Sequence, residues 1–347
     1  MKKHAIIPIF IPHRGCPNDC VFCNQKKITA RQDDINPETA RQTIETWLTT
    51  LGGVETVEIA FFGGSFTGIP MEEQSAFLAI AKEYKDAGRV HQIHLSTRPD
   101  YITEEILENL KAYGVDVIEL GVQSLDDDVL RSAGRGHNAA AVYRAAQLIK
   151  DFGFTLGIQL MVGLPGSSLK SEIFSAEETV RIGPKVARLY PTVILPETEL
   201  YDMYRCGQYM PMAEEEAVHR TKAMYKILHA AGINIIRVGL KSSGIMTDGT
   251  EGGAANTFHP AFRQLVEGQL AREELEGQLV QLTKETRCIQ FVSTEKDRNS
   301  LFGHKGANRE YFAKKYPELN IQYLTDKQAG IVLAEGEYRI IHQIPRL

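Results

Sequence analysis

Residues 12–24 read PHRGCPNDCVFCN and place three of the chain's five cysteines at the spacing C-x3-C-x2-C. They directly follow the apolar run from Ala5 to Ile11, which predicts a β-strand that leads into a tight loop. Three thiolates in one loop can hold three irons of a 4Fe–4S cluster and leave the fourth iron open to another ligand. The lack of a fourth cysteine nearby therefore indicates a cluster that takes part in chemistry rather than one that only carries electrons.

The same cysteines allow two other interpretations. Together with His13 they form the ligand set of a Cys3His zinc site, and short cysteine spacings are often of that kind. A structural disulfide is less expected, because clustered thiols in a chain without a leader indicate a reducing compartment. These residues alone leave the choice between a 4Fe–4S cluster and zinc open.

The overall composition is that of an ordinary globular protein, with 347 residues, 43% hydrophobic and 24% charged. Apolar stretches have the length of a strand and are broken by proline or glycine, so we expect no membrane helix. No small-residue cleavage site follows the first apolar run, so we expect no signal peptide and a cytoplasmic protein. The net charge of −5 argues against a protein that is basic all over, so a nucleic-acid substrate would need a local basic patch.

Strand and helix patterns alternate six times along the first 194 residues. The predicted strands are 5–11, 57–62, 91–96, 115–120, 155–162 and 186–194. This alternation predicts an α/β fold of parallel βα units, in which the polar and glycine-rich strand ends meet at one edge. The pattern alone fits an open barrel and a doubly wound sheet equally well.

The pattern changes after about residue 196. The elements predicted there are a helix over Glu214–Ala230, a strand over 233–238, a loop over 241–257, a mostly acidic helix over 261–285, and a small α/β unit over 287–347 that ends in strands at 331–334 and 338–342. We therefore divide the chain into a core of residues 1–240 and a C-terminal extension of residues 241–347.

The cysteine spacing, the strand before it and the aromatic Phe22 before the third cysteine resemble the signature of the radical S-adenosylmethionine (radical SAM) enzymes. The resemblance implies a partial (β/α)6 barrel and a 4Fe–4S cluster held by Cys16, Cys20 and Cys23. It also implies that SAM binds the open iron and is cleaved to a 5′-deoxyadenosyl radical by an electron from a flavodoxin-type or ferredoxin-type donor. The cofactors carry this chemistry, while the protein positions and shields them.

The same resemblance assigns backbone contacts to two later strand ends. Gly63, Gly64 and Ser65 follow the second strand, where the family meets the amino end of SAM, and glycines allow that close approach. Met161 and Val162 end the fifth strand, where the family has a backbone contact to adenine. Taken alone, a glycine-rich turn is a weak signal, because any strand-to-helix connection can use one.

Three polar side chains, two at strand ends and Arg135 between two predicted helices, are further candidates for binding the cofactor. From their positions, we expect Gln123 to hold the ribose, Arg135 to pair with the carboxylate, and Arg98 to reach toward SAM or the substrate. The alternative for Arg98 is a surface charge beside a helix start. No side chain is singled out as catalytic.

Several stretches are similar to the radical SAM half of the catalytic subunit of Elongator, over roughly residues 5–240. They are STRPDYI at 96–102, IELGVQS at 118–124, RGH at 135–137, YPT at 190–192, TELY at 198–201 and GQY at 207–209. That enzyme modifies wobble uridines in tRNA, so the resemblance implies an RNA base as the substrate. More distant similarity to oxygen-independent coproporphyrinogen oxidases and methylthiotransferases keeps a tetrapyrrole or another small molecule as an alternative. A zinc-stabilised RNA-binding module without catalysis is the other.

The chain also departs from the Elongator pattern. The Elongator subunit has a longer spacing between its first two cluster cysteines and carries a C-terminal acetyltransferase domain. The last unit of this chain, about 60 residues, is too short for that domain and contains no glycine-rich run for coenzyme A. Acetyl-CoA chemistry is therefore not expected here. Cys206 and Cys288 stand far apart, so we expect no second cluster.

One segment is basic enough to be a candidate for binding RNA. Residues 296–315 carry a net charge of +4, from Lys296, Arg298, Lys305, Arg309, Lys314 and Lys315 against Asp297 and Glu310. Such a patch can hold phosphates, and Lys26, Lys27 and Arg31 beside the cysteine loop would extend it. A solvated helix face is the alternative.

Overall fold

The computed structural model describes residues 4–11, 15–16, 20–24, 35–240, 258–280, 288–295, 297–325 and, for the backbone alone, 338–342. Seven parallel strands form the main sheet, and each lies beside the strand that follows it in the chain. They are β1 (His4–Ile11), β2 (Thr56–Gly63), β3 (Gln92–Thr97), β4 (Val117–Gln123), β5 (Thr155–Val162), β6 (Val186–Pro191) and β7 (Asn234–Val238).

This strand order decides between the two architectures that the sequence left open. A doubly wound sheet reverses its winding at a switch point, whereas the order here runs from β1 to β7 without reversal. The expected α/β open barrel of parallel strands is confirmed, and β7 extends it by a seventh strand. All carboxyl ends of the strands therefore lie along one rim.

Helices connect the strands, and most of them pack against the outer face of the sheet. They are α1 (Pro37–Leu48), α2 (Met71–Asp86), α3 (Glu104–Ala112), α4 (Asp127–Ser132), α5 (Ala139–Asp151), α6 (Leu169–Ile182), α7 (Glu199–Arg205) and α8 (Glu214–Ala230). Their starts follow local rules: α1 begins with Pro37 after a capping box of Asn36 and Thr39. The end of α6 is a left-handed glycine, Gly183.

The sheet curls until side chains from distant strands meet over its concave face. The guanidinium of Arg188 on β6 lies 4.9 Å from the ring centre of Phe62 on β2. Strand side chains alternate between the two faces, and Ile118 and Leu120 of β4 are buried in the main core. Glu119 between them faces the concave side, where it is fully buried.

The C-terminal part forms a second, smaller core that shares a helix with the first. Helix α9 (Phe262–Leu279) contributes Phe262 and Val266 to the main core, and Leu275 and Leu279 to the smaller one. The other elements are β8 (Cys288–Ser293), α10 (Arg298–Phe302), α11 (Ala307–Lys315), β9 (Asn320–Thr325) and β10 (Tyr338–His342), and the three strands form a parallel sheet in the order β10-β8-β9.

Some of the sequence predictions fall outside this description. The loop over 241–257, the strand over 331–334 and the end of the helix predicted over 261–285 lie outside the described residues. The division of the chain at residue 240 stays a prediction. None of the helices in the described ranges is both long and apolar enough to cross a membrane.

Gly157 on β5 tests how tightly the concave face is packed. An added Cβ would lie 2.8 Å from Cγ2 of Val186 and 2.9 Å from Cγ of Glu119, which is fixed by its own partners. Overpacking costs about 1–3 kcal/mol, more than the roughly 0.5–1 kcal/mol that alanine recovers over glycine. We therefore expect Gly157→Ala to lower the free energy of unfolding in a urea titration.

Gly277 on α9 provides the matched control. An added Cβ there meets no atom of the described residues within 4 Å, and alanine favours a helix by up to about 1 kcal/mol over glycine. Gly277→Ala should leave the free energy of unfolding unchanged or raise it. A Gly157→Ala protein as stable as the wild type would contradict the packing described here.

Candidate functional site

The cysteine loop leaves β1 at the rim and lies against the turn after β2. Gly15 has a φ of +71°, and an added Cβ would lie 2.3 Å from the carbonyl oxygen of Ser65. On the facing side, a Cβ at Gly68 would lie 2.0 Å from the carbonyl oxygen of Gly15. Two backbones approach this closely only where both residues are glycine, so the start of the loop is fixed against the second strand end.

Gly63, Gly64 and Ser65 form the other half of that contact. Gly63 has a φ of +112°, and a Cβ there would lie 2.7 Å from the carbonyl oxygen of Ile11. The amide of Gly64 donates a hydrogen bond of 2.8 Å to the same oxygen. The buried hydroxyl of Ser65 lies 2.7 Å from that of Thr97 on β3. The glycine motif thus joins the ends of the first three strands.

Arg98 connects the third strand end to the first cysteine. Its Nη1 lies 3.7 Å from Sγ of Cys16, while its Nε and Nη2 donate to the two carboxylate oxygens of Asp100 at 2.9 and 2.7 Å. Burial opposes the charge, but Asp100 and Cys16 outweigh it and raise the pKa of Arg98. Because Arg98 is only 4% exposed, it is not the surface charge that the sequence left as an alternative.

Arg135 makes the corresponding contact with the second cysteine. Its Nη1 donates to Sγ of Cys20 at 3.1 Å, and its Nη2 donates to the carbonyl oxygen of Gly121 at 2.5 Å. The adjoining backbone is also held, because the amide of Val21 donates to the carbonyl oxygen of Ala133 at 3.2 Å. Arg135 thus places a positive charge beside the sulfur of the second cysteine.

Gln123 occupies a strained position at the end of β4. Its φ of +69° is uncommon for a residue other than glycine, and the pairing of β4 with β5 shifts between Gly121 and Gln123. Its side-chain Oε1 is buried and accepts no hydrogen bond from the described residues. An acceptor without a donor, beside Arg135 and Cys20, fits a polar ligand at this strand end.

Met161 and Val162 lie at the fifth strand end, as expected. Met161 packs beside Phe22 of the cysteine loop in one apolar cluster with Leu164. The carbonyl oxygen of Val162 accepts the amide of Thr192 at 2.8 Å. The hydrophobic side of the loop therefore lies against β5.

His137 is a neighbour of this site that the sequence analysis did not select. Its side chain is fully buried, and Nδ1 lies 3.9 Å from Oδ1 of Asp100. Burial, together with the charge of Arg135, lowers the pKa of His137 to about 3, so the imidazole is neutral at neutral pH. The RGH stretch was noticed for its resemblance, and Arg135 alone was chosen from it.

The donor set fits a metal cluster chemically, and its assembly stays a prediction. Thiolates are suitable ligands for iron–sulfur clusters, and arginines lie beside Cys16 and Cys20. The residues between the cysteines, 12–14 and 17–19, lie outside the described ranges, and so does His13 of the zinc alternative. Among the residues that are described, no three His, Cys, Asp or Glu side chains come close enough together to hold a metal ion.

A buried network of charges lines the concave face beneath this rim. Nε of Arg188 lies 2.6 and 2.9 Å from the two carboxylate oxygens of Glu119. Nε2 of Gln159 donates to Glu119 at 2.5 Å, and Nε2 of His94 lies 3.1 Å from it. Burial opposes ionisation of Glu119, but Arg188 and His94 more than offset it and lower the pKa to about 2.

The sequence analysis passed over this network because each member lies inside a predicted strand. The signal that was available is the alternation itself: Glu58, Glu119 and Arg188 each stand between apolar residues in a run that is otherwise buried. A charge at such a position is expensive unless it is paired. Each was therefore a candidate for a partner on another strand.

The basic patch is only partly described. Lys296, Lys26, Lys27 and Arg31 lie outside the described residues. The guanidinium of Arg309 lies 5.6 and 5.8 Å from the ring centres of Phe302 and Tyr323, and a cavity of about 400 Å³ adjoins it. Lys315 is paired with Glu276 on α9.

Family models match most of the chain. The model of the radical SAM superfamily matches residues 10–174, and that of the radical SAM C-terminal domain matches residues 184–272. The chain belongs to the radical SAM superfamily. It is therefore an enzyme of this class, and its cofactors are those of the family, a 4Fe–4S cluster and SAM. The resemblance drawn from Cys16, Cys20 and Cys23 is confirmed at the level of the family.

Relatives of known function match the barrel part of this radical SAM enzyme. The tRNA uridine(34) acetyltransferase of Methanocaldococcus infernus is 26% identical over 257 residues, which are 62% of this chain and 48% of that protein. Human Elongator complex protein 3 is 29% identical over 255 residues, which are 60% of this chain and 46% of that protein. The chain thus spans about half the length of these curated relatives.

A solved structure supports the fold of the radical SAM barrel. The archaeal Methanocaldococcus infernus Elp3 with an N-terminal deletion aligns with a TM-score of 0.60 at 23% identity, over 79% of this chain and 64% of that one. Similarity at this level establishes the shared architecture. The seven-stranded parallel half-barrel is therefore the radical SAM fold.

His94 makes the buried network sensitive to pH. Burial disfavours its imidazolium, but Glu119 and Glu58 more than compensate and raise the pKa of His94 above its ordinary value of 6.5. The stabilisation that this group provides is complete below the pKa of the unfolded chain, and it is lost as the pH rises through the pKa in the folded protein. We therefore expect the free energy of unfolding to fall as the pH is raised from 6.5.

The variant His94→Gln isolates this contribution, because glutamine keeps a polar side chain that does not titrate. Urea titrations between pH 6 and 9 should show a smaller fall in stability for His94→Gln than for the wild type. Equal slopes in the two proteins would mean that the pKa of His94 is not raised by folding.

Proposed function

We propose that this radical SAM enzyme modifies a base of an RNA, with tRNA as the substrate, in the cytoplasm. The match of the barrel to enzymes named for tRNA uridine 34 and for Elongator supports this, because it extends along nearly the whole radical SAM part. The chain corresponds to only about half of those proteins. The acetyl transfer for which the archaeal relative is named is therefore not part of the proposal.

The cysteine loop would hold the cluster through Cys16, Cys20 and Cys23. When bound, the cluster and SAM supply one-electron cleavage of the SAM sulfonium and a carbon radical that abstracts hydrogen. Arg98 and Arg135 donate to the sulfurs of Cys16 and Cys20, and these contacts would orient the two sulfurs toward the cluster. A reduced flavodoxin-type or ferredoxin-type protein is the proposed electron donor.

The rim residues would then hold SAM at the strand ends. The backbone of Gly63 and Gly64 would meet the amino end of SAM, as the resemblance implies, and the close contact between Gly15 and Gly68 fixes this turn against the cysteine loop. The unsatisfied Oε1 of Gln123 supplies an acceptor for a hydroxyl group. Phe22 and Met161 close the apolar side of the loop and exclude water.

Replacing a cluster cysteine should abolish both iron binding and SAM cleavage. For Cys16→Ala, Cys20→Ala and Cys23→Ala we expect loss of the bound iron and sulfide after anaerobic reconstitution, and loss of 5′-deoxyadenosine formation with dithionite and SAM. Cys206→Ala and Cys288→Ala are the matched controls, because neither cysteine belongs to the C-x3-C-x2-C motif, and they should behave as the wild type. About one zinc and no sulfide in the wild type would instead support the zinc-stabilised module.

The substrate is tested in cells. In a strain that lacks this gene, mass spectrometry of tRNA nucleosides should show the loss of one modified nucleoside. The wild-type gene should restore it, and Cys20→Ala, which removes a cluster ligand, should not. An unchanged nucleoside profile, together with a normal yield of 5′-deoxyadenosine in vitro, would reject RNA and favour a small-molecule substrate.

A further inference from the structure

Two arginines of neighbouring strands face the same part of the concave surface. In the pairing of β6 with β7, Ala187 lies opposite Ile235, but Arg188 lies opposite Arg237, so the register shifts by one residue at Ile236. Such a bulge changes the face to which the following side chain points. Ala187 and Ile235 are buried in the main core, and the shift places Arg237 on the inner face with Arg188.

The two arginines differ in whether a described carboxylate neutralises their charge. Arg188 is paired with Glu119, which also binds Gln159. The Nε of Arg237 donates to the carbonyl oxygen of Gly239 at 3.0 Å, and no carboxylate within the described ranges forms an ion pair with Arg237. The guanidinium of Arg237 therefore remains a positive charge without a counterion in this part of the structure.

The surroundings of Arg237 are unfavourable for its charge as they stand. Burial and the nearby guanidiniums of Arg188 and Arg263 lower its pKa. Arg263 does not reduce this repulsion, because it is itself a cation and its hydrogen bonds go to Glu267 and to the carbonyl oxygen of Ile236. An anion placed between Arg188 and Arg237 would instead stabilise the charge of Arg237.

A hydrogen-bond donor of Arg188 is also left over. Its Nη2 is buried and finds no acceptor in the part of the chain that the structure describes, while Nε binds Glu119 and Nη1 lies 3.4 Å from the hydroxyl of Tyr190. Phe62 lies against the guanidinium and fixes its plane. A buried donor without an acceptor costs free energy unless a ligand supplies one.

The position of the pair relates it to the cysteine loop. Glu119 and Gly121 point to the same face of β4, and two residues of a strand span about 7 Å. Gly121 accepts the hydrogen bond from Arg135, which contacts Cys20. Glu119, the partner of Arg188, therefore lies one layer of side chains deeper in the barrel than Gly121, to which Arg135 is bound.

We propose that Arg188 and Arg237 bind an anionic oxygen group of the substrate, a phosphate or a carboxylate, inside the barrel. Among the described residues, one of these guanidiniums has no counterion and the other has a donor without an acceptor, so the pair matches an anion with several acceptor oxygens better than a single carbonyl group. The proposal rests on the proposed function in one respect: for an RNA substrate the group would be a backbone phosphate beside the target base.

The binding test uses the purified full chain with its cluster reconstituted. Thermal unfolding is followed while inorganic phosphate or succinate is added at constant ionic strength. We expect a saturable rise of the melting temperature in the wild type, and at least a tenfold higher apparent dissociation constant in Arg237→Gln. Arg237→Lys, which keeps the charge but not the planar fork, should fall between them.

The control is Arg181→Gln, because Arg181 is an exposed arginine paired with Glu178 within α6. It should respond to the anions as the wild type does. Arg237 is the first choice for substitution since Arg188→Gln would leave the buried Glu119 without its main partner and is expected to impair folding. A response to phosphate alone assigns a phosphate, and a response to succinate alone assigns a carboxylate.

Two results would overturn the proposal: a wild type without a saturable response to either anion, or an Arg237→Gln variant with an unchanged response. Its failure is distinguishable from that of the proposed function. A nucleoside lost from tRNA in the deletion strain, with no anion response in the purified chain, rejects only the arginine site. An anion response through Arg237 with an unchanged tRNA profile rejects only the RNA substrate.

Discussion

The buried carboxylate of Glu119 is the charge on which the inner face of the barrel depends. It lies in the middle strand of the sheet and receives Arg188 from β6, Gln159 from β5 and His94 from β3. Taking an isolated carboxylate out of water is costly, so the curl of the sheet has to bring these partners within reach. His94 in turn contacts Glu58 of β2, and the chain of pairs ends at the partly exposed His4 of β1. One network therefore spans strands β1 to β6.

The upper rim is organised in a comparable way, but with backbone contacts as its base. The first turn of the cysteine loop lies against the turn after β2, with no room for a side chain at Gly15 or Gly68. Arg98 and Arg135 then extend from two other connections to the sulfurs of Cys16 and Cys20. The loop that would hold the cluster is thus positioned by three of the connections that follow the strands, which is the arrangement expected where parallel strands end together.

The order of the strands and helices and the candidates at the strand ends were accessible from the sequence. The features that were missed depend on contacts between residues that are distant in the chain. Local signals predicted β5 at 155–162 and α8 at Glu214–Ala230 with the boundaries that the structure shows, since turn glycines and apolar periodicity mark both ends. The strand-end candidates also lie near one another, because parallel strands impose that on any βα pattern. The alternation marks members of the charged network, but which residues pair could not be predicted, because the pairs join residues as far apart as Glu119 and Arg188. The bulge that turns Arg237 inward depends on pairing with β6 and has no local signature in the sequence.

Helix α9 contributes apolar side chains to two cores, Phe262 and Val266 to one and Leu275 and Leu279 to the other. The two parts of the chain therefore do not behave as independent units joined by a linker. A chain cut after β7 would leave bare the apolar surface that Phe262 covers over Gly239. If the small sheet loosened, helix α9 would carry the disturbance to β7, the edge strand of the barrel, on which Arg237 lies. Through α9, the C-terminal part thus supports the edge strand at which the barrel remains open.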